Sequence, residues 1–161
     1  MKKRWLWGFV LGVALLLFGA YQFYTAIHAA EWSREDAAVW AAYRNTVLAK
    51  ASRVESFVGD KPYYIVQGED KLGQSVIVWV GEDEIHAEYE RDGVSGDELL
   101  AAWREADPDK QLIRIRPGKI DDVYVWEIFY AKIDNGKKRY YYDYFRFSDG
   151  APVDTYRLTL R

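Results

Sequence analysis

No Asp, Glu, Lys or Arg interrupts the stretch from Trp5 to Ala30, and Lys2, Lys3 and Arg4 stand directly before it. Its centre, Leu6 to Ala20, is continuously apolar. A helix rises ~1.5 Å per residue, so about 20 such residues cross ~30 Å of hydrocarbon. Trp5 to Tyr24 meets that length, with Trp5 and Trp7 at one end and Tyr21 and Tyr24 at the other placed like interfacial belts. This predicts a single-pass transmembrane anchor. The three basic residues would stay in the cytoplasm, which puts everything after Ala30 outside. The competing reading is a cleaved secretory signal, but Ala26-Ile27-His28-Ala29-Ala30 carries Ile and His where a cleavage site prefers small residues. Both readings export the rest of the chain. A buried core helix is excluded by the length and uniformity of the run.

The exported part must hold itself together without disulfides, because the chain has no cysteine. Aromatic residues make up 17% of the chain against only 4 prolines, which favours a packed core over a disordered stalk. Only three of the 22 basic residues and none of the 25 acidic ones precede Glu31, so the remainder carries a net charge near −6. That sign disfavours phosphate backbones, and nucleic acid is excluded as a partner.

Along the exported chain, Ser33-Arg34-Glu35-Asp36 resembles a capping box, and Ala37, Trp40, Tyr43, Val47 and Ala51 recur at helical spacing on one face. Strand signals follow at Val54–Val58, Tyr63–Gly68, Ser75–Val80 and Ile85–Glu90, separated by turn clusters rich in Gly and Asp. The order then starts again. Ser95-Gly96-Asp97-Glu98 is a second capping box, ahead of a helix whose Leu99, Trp103 and Ala106 share a face. Strands are predicted at Leu112–Ile115, Tyr124–Lys132, Arg139–Phe147 and Val153–Leu160, with Asn135-Gly136 as a hairpin turn. Ser33 and Ser95 lie 62 residues apart. The expectation is an α+β fold: an N-terminal transmembrane helix, then two modules of a helix packed on a four-stranded antiparallel sheet. The divisions are residues 1–30 for the basic tip and anchor, 31–93 for the first module and 94–161 for the second. Trp40 and Trp103 should be equivalent buried helix positions.

Several of these segments together resemble a known family. Pro62-Tyr63-Tyr64-Ile65-Val66 with Gly68, Val78-Trp79-Val80, Asp92-Gly93 before the second helix, and Val125-Trp126-Glu127-Ile128 stand behind a basic-flanked anchor. Their order and spacing are similar to those of the TseB-like (YpmB-type) cell-wall elongation regulators of Gram-positive bacteria. The second half also resembles a PepSY-type module. The resemblance implies tandem cystatin-like folds on one membrane anchor. It further implies a role in peptidoglycan synthesis during elongation, through contact with a class B penicillin-binding transpeptidase. It brings no catalytic residue and no cofactor.

Residue chemistry points the same way. Nucleophilic catalysis by Cys is excluded, and a Ser-His-Asp arrangement has only His86 to use, since His28 falls in the N-terminal run. His86 alternates with Ile85 and Ala87 and is expected to face solvent. Two distant histidines make a poor zinc site. Asp107-Pro108-Asp109 and Asp121-Asp122 read as turn acids, lacking the calcium-loop pattern. Glu82, Asp83, Glu84, Glu88 and Glu90 fit a solvated strand edge better than a glycosidase pair. Glu127 interrupts an apolar run beside Trp126 and is expected to point outward.

The surface candidate is Arg139 to Phe147. Alternation places Tyr141, Asp143, Phe145 and Phe147 on one face and Tyr140, Tyr142, Tyr144 and Arg146 on the other. The first face suits the core. The second is either a partner surface, because Tyr and Arg are enriched in interface hot spots, or a face packed on the first module. Wall glycan is the weaker alternative partner. The leading function is a non-catalytic, membrane-anchored adaptor of the elongation machinery. The alternatives are an extracytoplasmic inhibitor or binding module for a protease or wall hydrolase, and a wall enzyme with a carboxylate site.

Overall fold

A computed structural model describes the backbone of residues 2–159 and the side chains of residues 11–25 and 32–159. The chain divides into two compact units, Met1–Ala37 and Ala38–Arg161.

Helix α1 spans Lys2–Asn45. In the first unit its described side chains Leu11, Leu15, Leu16, Leu17, Phe18 and Phe23 are all exposed. Tyr21 and Tyr24 are exposed too, with the Tyr24 ring edge-on to Trp32 at 6.4 Å. The side chains of Trp5 and Trp7 lie outside the described residues. The expected transmembrane anchor is corrected here: among the described residues no helix is long and apolar enough to cross a membrane. Ser33 does not start a helix either. It lies within α1, where an amide N–H already has a carbonyl one turn back and needs no cap.

In the second unit, β1 (Lys50–Val58), β2 (Pro62–Glu69), β3 (Ser75–Val80) and β4 (Ile85–Tyr89) form an antiparallel sheet in that order. A short 3-10 turn, Glu90–Asp92, leads to α2 (Gly96–Ala106). Its capping box forms as the sequence predicts: Ser95 Oγ accepts from Glu98 N–H, and Glu98 Oε2 accepts from Ser95 N–H at 3.2 Å. A second antiparallel sheet follows, β5 (Gln111–Ile120), β6 (Val123–Asp134), β7 (Lys137–Arg146) and β8 (Pro152–Leu158), again in chain order. Asn135 and Gly136 sit at φ 51° and 73°, the conformation that lets a two-residue turn follow the twist of β6 and β7.

The expectation of two helix-on-sheet modules is also corrected. The unit is mostly sheet, and its main core forms between the sheets rather than beneath each helix. Phe57, Tyr63, Ile65, Ile77 and Trp79 of the first sheet pack in one cluster with Val125, Trp126, Ile128 and Tyr130 of the second and with Phe147 in the turn after β7. Leu99 and Trp103 of α2 join it. A smaller cluster takes the other face of the first sheet, where Ala38, Ala42 and Leu48 cover Val66, Val76, Val78 and Val80. Strand β3 is therefore buried on both faces, which is why it reads Val-Ile-Val-Trp-Val without alternation. Trp40 is 63% exposed, against 4% for Trp103. The small residues Ala38 and Ala42 take the contact face of α1, so the two Trp positions are not equivalent.

Backbone and charge join the sheets where β5 crosses β1 to β3. Trp79 Nε1 donates to Gly118 O at 2.9 Å, and Arg116 Nη1 donates to Ser56 O at 2.9 Å. A Cβ at Gly118 would overlap the Phe57 ring, so glycine lets the strand approach. Lys119, only 5% exposed, reaches from β5 to Glu84 and to Asp122.

Candidate functional site

Antiparallel pairing gives the second sheet two faces. Trp126, Ile128 and Tyr130 of β6 point toward α2, where Trp103 meets the Tyr130 ring at 5.2 Å. Asp143 of β7 is buried on this side, accepting from Trp103 Nε1 at 2.9 Å, Lys110 Nζ at 3.0 Å, Thr155 Oγ1 at 2.9 Å and Tyr130 Oη at 3.2 Å. Four donors satisfy a carboxylate that would otherwise be costly to bury.

The opposite face collects Arg114 and Arg116 of β5, Glu127 and Phe129 of β6, and Tyr140, Tyr142, Tyr144 and Arg146 of β7, with Tyr156 beside them on β8. Glu127 is 3% exposed and is held by Arg116 Nε at 2.7 Å, Arg114 Nη2 at 3.1 Å and Tyr144 Oη at 3.2 Å. It does not point outward into solvent as its position beside Trp126 suggested. Its partners come from neighbouring strands 11 to 17 residues away in sequence, and no local pattern shows them. Tyr144 is likewise buried. Desolvation raises its hydroxyl above the ordinary tyrosine range, and the Glu127 carboxylate adds to the effect. Arg146 is exposed and bonded to Asp149 at 2.8 Å. Tyr140 and Tyr142 are half-buried.

The rings on this face lie against one another. Tyr142 stacks on Phe129 at 4.6 Å and 18°, Tyr140 on Phe129 at 5.9 Å and 26°, and Tyr142 on Tyr144 at 6.4 Å and 14°. The closest of these contacts, Phe129 on Tyr142, covers part of one face of each ring. Tyr156, 50% exposed, meets Tyr144 edge-on at 5.7 Å.

Comparison with known proteins bears on what such a face serves. A family model described as a cell wall elongation regulator TseB-like domain matches residues 37–81. The probable cell wall elongation regulator TseB of Bacillus subtilis (strain 168) is 28% identical over 149 residues, covering 89% of this chain and 92% of that protein. The YpmB protein from Bacillus subtilis superposes with a TM-score of 0.65 at 28% identity, over 76% of this chain and 96% of that one. The chain is thus similar to TseB/YpmB-type proteins over most of its length. The TseB-like match runs from the end of α1 through β3, so the aromatic face of the second sheet lies outside the matched residues.

The remaining polar clusters are bonded within the fold. His86 is part-exposed, its side chain 35% open to solvent, while its ring stacks on Tyr124 at 4.2 Å and 9° and its Nε2 lies 2.8 Å from Glu88 Oε1. Burial opposes the charge on Lys119, but hydrogen bonds to Glu84 and Asp122 outweigh it and hold the ammonium above its ordinary range. The same bond from Lys119, with one from Tyr63 Oη at 2.7 Å, keeps Glu84 below the usual carboxylate range. Asp121 and Asp122 form the β5–β6 turn at φ 47° and 62°. Among the described residues no group of three His, Cys or acidic side chains is arranged to hold a metal ion.

Proposed function

We propose that this protein is a non-catalytic regulator of cell wall elongation. It acts on the extracytoplasmic side by contact with a class B penicillin-binding transpeptidase. The observation that supports this reading is the row of near-parallel tyrosines flanked by arginines on the outer face of the second sheet, in a chain related to a named elongation regulator. Tyr and Arg contribute disproportionately to protein interfaces because they combine a large apolar area with a directional polar tip. In this reading residues 94–161 present the contact surface and residues 31–93 buttress it.

The test is co-purification. Tagged full-length chain should retain a class B transpeptidase from a detergent extract of cells. Replacing Tyr140 and Tyr142 together by Ser should cut retention by at least ~30-fold, the loss of one hot spot of ~2 kcal/mol, while the melting temperature stays within a few degrees. Tyr144 is left in place because it supports Glu127. If the parent chain retains no transpeptidase, the reading fails.

A further inference from the structure

The outer face of the second sheet carries more positive charge than its own carboxylates neutralise. On the two inner strands, β6 and β7, the one carboxylate on this face is Glu127, and two guanidiniums hold it, Arg116 at 2.7 Å and Arg114 at 3.1 Å. One negative charge between two positive ones leaves a positive charge over. The two arginines divide the work unequally. Arg116 is 16% exposed and gives its remaining reach to Ser56 O and the Phe57 ring. Arg114 is 42% exposed and lies 5.9 Å from the Phe129 ring, so the surplus charge is at the surface beside the aromatic row. At the other end of the row Lys138, also exposed, stands 5.9 Å over the Tyr140 ring. Arg146 is neutralised by Asp149, and Asp154 on the edge strand, which accepts from Thr155 N–H at 2.7 Å, keeps its negative charge beside Tyr156, so the surplus on the face is about one positive charge, carried at Arg114 and Lys138. The whole chain has a formal net charge of −3, so a cationic strip here is not a reflection of composition. Exposed apolar side chains, Ile133 and Leu158, border the same row.

We infer that this face takes a short acidic segment of a partner protein, with one of its carboxylates on Arg114 and its apolar side chains against the tyrosine edges. The inference rests on the reading that this face is a protein contact and names the chemistry of what it contacts. A guanidinium already oriented by Glu127 and by an aromatic ring is prepared for a second carboxylate, which a planar fork binds better than a point charge does. Such a contact is only partly shielded from solvent, so it weakens as salt rises.

The test titrates the full chain with two synthetic peptides, one alternating Glu and Leu and one alternating Gln and Leu, followed by backbone amide shifts. The Glu peptide is expected to bind ~10-fold or more tightly than the Gln peptide, as a charge-assisted hydrogen bond on a half-exposed arginine allows. Shifts should concentrate at residues 114, 129, 140 and 142. Arg114→Gln should erase the difference between the peptides with an unchanged melting temperature, since Arg116 still holds Glu127. Arg104→Gln, exposed on α2 across the sheet, should leave it intact. Equal binding of the two peptides, no binding of either, or shifts centred elsewhere would overturn the inference. Transpeptidase capture that survives both Arg114→Gln and 0.5 M salt (about a 4 Å screening length) would sink the acidic segment while leaving the regulator reading standing. Arg114-dependent peptide binding without transpeptidase capture would do the reverse.

Discussion

Replacing Trp79 by Ala removes a side chain with no exposed surface from the point where the two sheets meet. The indole touches Tyr124 at 4.7 Å, Phe147 at 5.7 Å and His86 at 5.9 Å, and its Nε1 donates to Gly118 O. Truncating a buried Trp costs roughly 3–5 kcal/mol in lost transfer energy and cavity. The Gly118 carbonyl, left without its donor, adds about 1 kcal/mol or more. About 4–6 kcal/mol is a large share of the 5–15 kcal/mol that holds an ordinary domain folded. For a unit of this size it lowers the melting temperature by roughly 12–24 °C. Because Trp79 belongs to the core shared by both sheets, they should lose stability together. Urea unfolding followed by far-UV circular dichroism and by fluorescence should give one coincident transition, shifted as a whole. Two separated transitions with only one displaced, or a melting temperature like the parent's, would refute a core shared between the sheets. Trp79→Phe keeps most of the packing and should recover more than half of the loss.

Trp40→Ala, at an exposed position on α1, should change stability by no more than about 0.5 kcal/mol in the same assay. Glu127→Ala leaves Arg114 and Arg116 facing each other beside a buried Tyr144 hydroxyl, and should cost about 3–5 kcal/mol. Stability should fall at both ends of the pH scale. Glu84 is held below the ordinary carboxylate range, so its contribution is full above about pH 5 and is lost as pH falls through its lowered folded value. Lys119 and Tyr144 are held above their ordinary values, so stability present below about pH 10 drains away as pH rises beyond it. Glu84→Gln should flatten the acid limb of a melting-temperature profile, and a flat profile in the parent would contradict these assignments.

What the sequence made legible were features encoded within a few residues. The Ser95 capping box, the Asn135-Gly136 turn and the apolar run of β3 each follow from neighbours in the chain, and each appears in the structure. Features set by residues far apart were misread. Glu127 looked outward because nothing near it is basic; Arg114 and Arg116 reach it from β5 only after the hairpin forms. Asp143, inside a row of aromatics, gives no hint of the four donors that gather on it. Nothing near Lys119 in the sequence points to its partner Glu84, which lies 35 residues away in the β3–β4 turn. Helical spacing offered Trp40 as core, yet Ala38 and Ala42 take the contact because small side chains let α1 approach the sheet. The division into helix-on-sheet modules failed for a related reason. Period-two alternation shows which residues share a face of a sheet, but not whether a helix or another sheet will cover it. Within the candidate face, alternation correctly grouped Tyr140, Tyr142, Tyr144 and Arg146, while the burial of Tyr144 beneath its neighbours needed the cross-strand register.

The most direct test of the regulator account places a photo-crosslinking amino acid at Tyr142 of the full chain in living cells, with a second copy of the experiment at Ala106. Ala106 is exposed at the end of α2, which packs on the opposite face of the second sheet. Irradiation should produce an adduct from position 142, and mass spectrometry of that adduct should identify a class B penicillin-binding transpeptidase. Position 106 should give none. An adduct to that enzyme from Ala106 but not from Tyr142 would contradict the assignment of the face. Loss of wall elongation on deleting the protein, with no transpeptidase captured from either position, would contradict the proposed contact itself.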